Sequence, residues 1–314
     1  MTSVASERSK FDDPLLTATG EARASIELGR LDTLWFNTGT LCNIECVNCY
    51  IESSPTNDRL EYLTAAEVAA YLDEVQAQEL GTREIGFTGG EPFLNPAFLD
   101  MMEDALERGF RVLVLTNAMR PMMRRPVRER LAALRTGAGE RLTMRVSLDH
   151  YTAELHDRER GTGAWQEALD GLRWLAASEF TVSIAGRSCW GESEPDARRG
   201  FAALFDAENF RIDAEDPSAL VIFPEMDEQV DVPEITVDCW DILSVDPRAM
   251  MCASSRMIVK RQGGQAPAVL ACTLLPYDEE FELGGTLEES RSLVHLNHPH
   301  CAKFCVLGGA SCSG

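Results

Sequence analysis

An α/β fold is predicted: an open, partial (β/α)6 barrel followed by a small C-terminal cysteine-rich module built on a β-hairpin and a short helix. Three observations predict it. Between residues 31 and 223, apolar runs of strand length alternate with helical periodicity, as repeated βα units require. These runs number about six, too few to close an eight-stranded barrel. Five of the 10 cysteines crowd into the region after residue 251, where the helical pattern gives way to a hairpin pattern.

The first 30 residues are polar and aperiodic, and read as a flexible N-terminal arm. The barrel spans 31–224. Its strands are expected at Thr33–Asn37, Glu84–Phe87, Phe110–Thr116, Leu142–Leu148, Thr181–Arg187 and Ala219–Phe223, each short and flanked by turn residues. Thr64 and Glu67 have capping-box spacing and open a helix that places Val68, Tyr71, Leu72 and Val75 on one face. Further helices follow Pro96, run from about Pro126 to Leu134, and extend from Ala164 to Ala177; their Met and aromatic positions are core. Residues 225–244 turn acidic and lose periodicity, suggesting a linker before a module over 245–314.

Composition excludes several functions. With 29 Lys and Arg against 51 Asp and Glu, the formal charge of −22 repels nucleic acid and anionic membranes. No apolar stretch is long enough to span a bilayer and no secretory signal opens the chain, so a cytoplasmic location is expected. There, this many cysteines point to metal rather than to disulfides.

Cys42, Cys46 and Cys49 share one loop directly after the first strand. Three thiolates on a cubane leave one iron open, whereas structural zinc takes four closed ligands. This C-x3-C-x2-C loop resembles that of the radical S-adenosylmethionine (SAM) superfamily. The segment Thr88-Gly89-Gly90-Glu91-Pro92, about forty residues on, is similar to the family's GGEP segment. The residue before the third cysteine, commonly aromatic or His in the family, is Asn48. The resemblance implies a [4Fe–4S] cluster on the three cysteines and SAM bound beside it, its amino group at the GGEP segment. It also implies roles for strand-end residues: Asn117 in cofactor binding, Ser147 and Asp149 near the ribose and substrate, and Arg187 pairing with the methionine carboxylate. Ser147 or Asp149 could equally cap the next helix. His150, His156 and Asp157 read as local hydrogen-bonding groups rather than catalytic ones.

In the C-terminal module, Cys252 and Cys272 sit at the open ends of a hairpin, and Cys301, Cys305 and Cys312 follow. The pattern resembles auxiliary-cluster domains of the SPASM type, in the shortened Twitch form. That resemblance implies one auxiliary [4Fe–4S] cluster on Cys252, Cys272, Cys301 and either Cys305 or Cys312; zinc through four thiolates, with His298 or His300 as further donors, is the alternative. Cys189 and Cys239 read as buried small hydrophobes beside Trp190 and Trp240.

The function implied is reductive cleavage of SAM to a 5′-deoxyadenosyl radical and hydrogen abstraction from a small molecule or short peptide, an oxidoreductase-like dehydrogenation aided by the auxiliary cluster. A maturase of a ribosomally made peptide and a non-catalytic iron–sulfur redox sensor are the alternatives. The expected reductant is a flavodoxin or ferredoxin, docking on the arginines at 120, 124, 125, 128, 130 and 135.

Overall fold

A computed structural model describes residues 9–225 and 230–309. In chain order the principal elements are β1 (Ser25–Ile26), β2 (Thr33–Asn37), α1 (Ala65–Ala77), β3 (Glu84–Thr88), α2 (Phe98–Glu107), β4 (Arg111–Thr116), α3 (Arg120–Met123) and α4 (Arg125–Ala138). They continue with β5 (Leu142–Ser147), α5 (Ala153–Arg160), α6 (Ala164–Ala177), β6 (Thr181–Arg187), α7 (Glu194–Glu208) and β7 (Leu220–Phe223). The last are α8 (Cys239–Leu243), β8 (Ser255–Val259), β9 (Ala268–Leu270) and β10 (Val294–His295).

One sheet runs in the order β7-β6-β5-β4-β3-β2-β8-β9, parallel from β7 to β8 and antiparallel between β8 and β9. The β2 to β7 segment, with its crossover helices, is the partial α/β barrel expected from the sequence. Helices cover one face of the strands, so Leu34, Phe36, Ile85, Phe87, Val112, Val114, Met144, Val146 and Ile184 join the helical residues in one buried cluster. The capping box at Thr64 and Glu67 is formed in both halves, which fixes where α1 begins.

The hairpin β8–β9 continues the barrel sheet, because β8 lies beside β2 with Leu34 opposite Arg256. Two expectations are corrected. The N-terminal arm is packed from residue 9 onward: Arg23, 3% exposed, pairs with Glu234 at 2.6 Å, and β1 pairs with β10. The expected linker over 225–244 buries Val232 and Ile235 in a second apolar cluster with the C-terminal module and carries α8. The described residues of both segments are held by partners more than two hundred residues away or on the other segment, which local composition cannot reveal.

Candidate active site

Parallel strands place their C-terminal ends on one rim, and there the loops converge. Cys42, Cys46 and Cys49 line a cavity at this rim together with Thr88, Gly89 and Gly90. Asn117, Ser147, Asp149 and Arg187, from the ends of β4, β5 and β6, line it too.

The two glycines are required by the close approach of two loops. A Cβ on Gly90 would stand 2.2 Å from the Leu41 carbonyl oxygen, and one on Gly89, where φ is +132°, would stand 2.5 Å from the Gly39 oxygen. Backbone bonds from Gly90 N to Gly39 O (2.8 Å) and Glu91 N to Leu41 O (3.1 Å) join the glycine segment to the cysteine loop.

Glu91 and Pro92 do not line the cavity. The Glu91 carboxylate turns inward and accepts from Phe93 N, Thr116 Oγ1 and Asn117 N at 2.9–3.2 Å. It is 1% exposed, and burial pushes its pKa up to about 7 against those bonds. Its observed work is to hold the β4 end in register with the glycine segment.

Sequence reasoning missed Arg160, the last residue of α5. Its Nε and Nη2 donate to both oxygens of Asp149, at 2.6 and 2.8 Å, and it lines the cavity beside the cysteines. Burial opposes its charge, but Asp149 and Cys46 more than offset that. Asp149 is also burial-disfavoured as an anion, yet Arg160 holds its pKa below the ordinary value. Neither Ser147 nor Asp149 caps the next helix, whose N-cap is Thr152. The signal was available as an Arg at the end of a short helix, but nothing in the sequence aims it back at Asp149.

The same α5 end clamps the cysteine loop. Val47 N donates to Glu159 O at 2.9 Å, and Asn48 Nδ2 donates to both Glu159 carboxylate oxygens at 2.9 Å. Arg187 Nη1 donates to the Asn48 carbonyl at 2.9 Å and lies 3.7 Å from Glu159, so this arginine braces the loop while facing the cavity. Asn48 thus has a structural use at the position where the family commonly carries an aromatic residue or His.

Of the neighbouring His residues, His150 is engaged as expected, with Glu192 at 2.7 Å and Thr152 at 2.9 Å. His156 differs: it is fully buried, neither ring nitrogen has a hydrogen-bond partner, and burial pulls its pKa down to about 4. It packs at an angle to the Trp165 ring, and Asp157 instead accepts from Gly163 N and Trp165 N at the start of α6. Cys189 and Cys239 are half-buried rather than buried.

A second, smaller cavity is lined by Cys252, Cys272, Cys301 and Cys305, with His300. Cys312 lies outside the described residues. Burial pushes the Cys252 thiol up to about 11 and raises Cys301 well above its ordinary value. Leu274 lines both cavities, and Phe304 closes the first from the C-terminal side, stacked on Phe223 at 5.9 Å. Among the described residues, no three His, Cys, Asp or Glu side chains converge closely enough to hold a single metal ion.

The family model of the radical SAM superfamily matches residues 36–198. The chain belongs to the radical SAM superfamily. It is 34% identical over 139 residues to the mycofactocin maturase MftC of Mycobacterium tuberculosis strain H37Rv, a match covering 44% of this chain and 33% of that one. The chain therefore spans about a third of the length of that relative. In structure it resembles Streptococcus suis SuiB bound to SAM, with TM-score 0.58, 11% identity, and coverage of 81% of this chain and 63% of the other. It also resembles anSMEcpe with bound SAM, with TM-score 0.59, 14% identity, and coverage of 86% and 82%.

Membership of this superfamily implies a [4Fe–4S] cluster and SAM. The residues present fit both groups: three thiols on one loop open to the cavity, the side-chain-free backbone of Gly89 and Gly90 faces it, and the Arg160–Asp149 ion pair lines it beside the thiols.

Proposed function

We propose that this chain cleaves SAM reductively and abstracts hydrogen from a peptide substrate, with a second iron–sulfur cluster behind the substrate wall. One observation carries the reading: Leu274 lines both the cavity of Cys42, Cys46 and Cys49 and the cavity of Cys252, Cys272, Cys301 and Cys305. A substrate held against Leu274 lies between the two cysteine sets.

Cys42, Cys46 and Cys49 would hold the first cluster, and the four C-terminal cysteines the auxiliary one. The chemistry the first cluster supplies when bound is one-electron cleavage of SAM to methionine and a 5′-deoxyadenosyl radical. The protein's residues position and protect. Gly89 and Gly90 admit the methionyl end against the backbone. Arg160, fixed by Asp149, presents a permanent positive charge to an anionic carboxylate. Burial pushes Cys42 up to about 12 and raises Cys46 as well, so loading must displace their protons; Arg160 opposes the rise at both. Phe223, Pro224, Leu274 and Phe304 form an apolar wall that excludes water and suits an apolar side chain.

The peptide class is favoured because SuiB and anSMEcpe, the structures this fold resembles, include complexes with the precursor peptide SuiA and with the Cp18Cys peptide. A cytoplasmic setting and a flavodoxin- or ferredoxin-type reductant complete the reading; no described helix is long and apolar enough to cross a membrane. The expected arginine docking face is largely engaged within the protein. Arg124 donates to Pro121 O and Phe93 O, Arg128 packs on Trp174, Arg130 pairs with Asp100, and Arg135 donates to Glu179 O. Arg120 and Arg125 are paired too, with Glu167 at 2.7 Å and Glu129 at 3.8 Å, but their side chains are 85% and 82% exposed, so an acidic partner could compete for them.

The test is anaerobic reconstitution, iron and sulfide counts, and incubation with SAM and dithionite. About eight irons per chain and 5′-deoxyadenosine from wild type but not Cys46→Ala are expected from two [4Fe–4S] centres. Iron without SAM cleavage would point to a redox sensor, and zinc alone would defeat the proposal.

A further inference from the structure

Arg256 is the second residue of β8 and has no solvent exposure. Its guanidinium folds back over the turn that carries Cys252. Nη1 donates to Cys252 O at 2.6 Å and to Ser255 O at 2.8 Å, and Nε donates to Ser290 O at 2.9 Å. Nη2 has no partner.

Every one of those acceptors is a neutral carbonyl. Arg256 forms no ion pair with any carboxylate of the described residues, and its contact with the cysteine centre is through the Cys252 carbonyl. Arg23, by contrast, is also buried but has its charge matched by Glu234 at 2.6 Å. A buried guanidinium without a counter-charge is costly, and proteins retain one where an anion completes the site. A cubane cluster held by Cys252, Cys272, Cys301 and Cys305 would supply the missing anion, because such a cluster on four thiolates is net negative and becomes more so on reduction.

We propose that Arg256 is the charge-balancing residue of the C-terminal cysteine centre, favouring its assembly and its reduced state. The inference rests on reading those cysteines as an iron–sulfur site. It assigns Arg256 a positioning and electrostatic role rather than a catalytic one.

The test uses the full chain with Cys42, Cys46 and Cys49 replaced by Ala, so that the C-terminal centre alone can hold iron. After anaerobic reconstitution, iron and sulfide are counted, the reduction potential is measured by titration followed by electron paramagnetic resonance, and loss of iron to a chelator is timed. Arg256→Lys keeps the charge and loses part of the hydrogen bonding; Arg256→Gln removes the charge while keeping a polar amide that can donate to at most some of those carbonyls. The expected result is a lower potential and at least several-fold faster iron loss for Arg256→Gln, with Arg256→Lys close to the parent. Metal-free Arg256→Gln should melt no lower than the metal-free parent, since an uncompensated charge has been removed. A Gln variant matching the parent in potential and iron loss, or failing to fold without metal, overturns the inference. A parent that takes no iron, or takes zinc instead, overturns it together with the auxiliary-cluster reading.

Discussion

Arg160 and Asp149 form a two-point ion pair, 2.6 and 2.8 Å, beside the three N-terminal cysteines in one cavity. The pair ties the end of α5 to the end of β5. It leaves a fixed positive charge facing the cavity. Arg160→Ala strands the Asp149 carboxylate in a site where it is 2% exposed, so a loss of about 3–5 kcal/mol is expected. Iron content should be retained while SAM affinity falls at least tenfold, read by titration of the reconstituted protein; unchanged affinity would remove Arg160 from the SAM site.

Gly90→Ala puts a methyl group 2.2 Å from the Leu41 carbonyl, and backbone cannot yield as a flexible side chain could. The cysteine loop should shift, and iron bound per chain should drop by about half if the second centre is untouched. Full iron content in Gly90→Ala would show that the loops do not need their close contact.

Tyr277, from the C-terminal half, donates to the Ile51 carbonyl at 2.6 Å and accepts from Asn57 Nδ2 at 3.1 Å. It ties the C-terminal half to the cysteine loop. Tyr277→Phe should cost about 1 kcal/mol and raise hydrogen exchange around residues 49–57, with exchange elsewhere unchanged.

Glu91 and His156 make opposite contributions to stability against pH. Burial raises the Glu91 pKa from 4.5 to about 7, so its contribution is fully present below 4.5 and is lost as pH rises through 7. Burial lowers the His156 pKa from 6.5 to about 4, so its contribution is present above 6.5 and is lost as pH falls through 4. In the metal-free protein, Glu91→Gln should remove the first trend, and its stability relative to wild type should grow from pH 4.5 to 7. Denaturant titrations across that range check the sign.

Arg23→Ala leaves Glu234 unpaired where its side chain is 7% exposed, and about 3–5 kcal/mol of destabilisation is expected. Thermal unfolding reads it directly. A negligible change would mean that the N-terminal segment packs without this pair.

The sequence by itself determined the six strands of the barrel, the start of α1 and the loop of three cysteines, because period, capping and ligand spacing are local properties. It also singled out Thr88, Gly89, Gly90, Asn117, Ser147, Asp149 and Arg187, which the strand ends bring to one cavity. Tertiary structure alone decided the rest. It turned Glu91 inward and paired Asp149 with Arg160. It drew residues 9–30 into the fold through Arg23 and Glu234, and set Leu274 between the two cysteine cavities. Each of these depends on which distant groups share a desolvated space. A charge or hydrogen bond there is governed by its spatial neighbours, and chain order does not specify them.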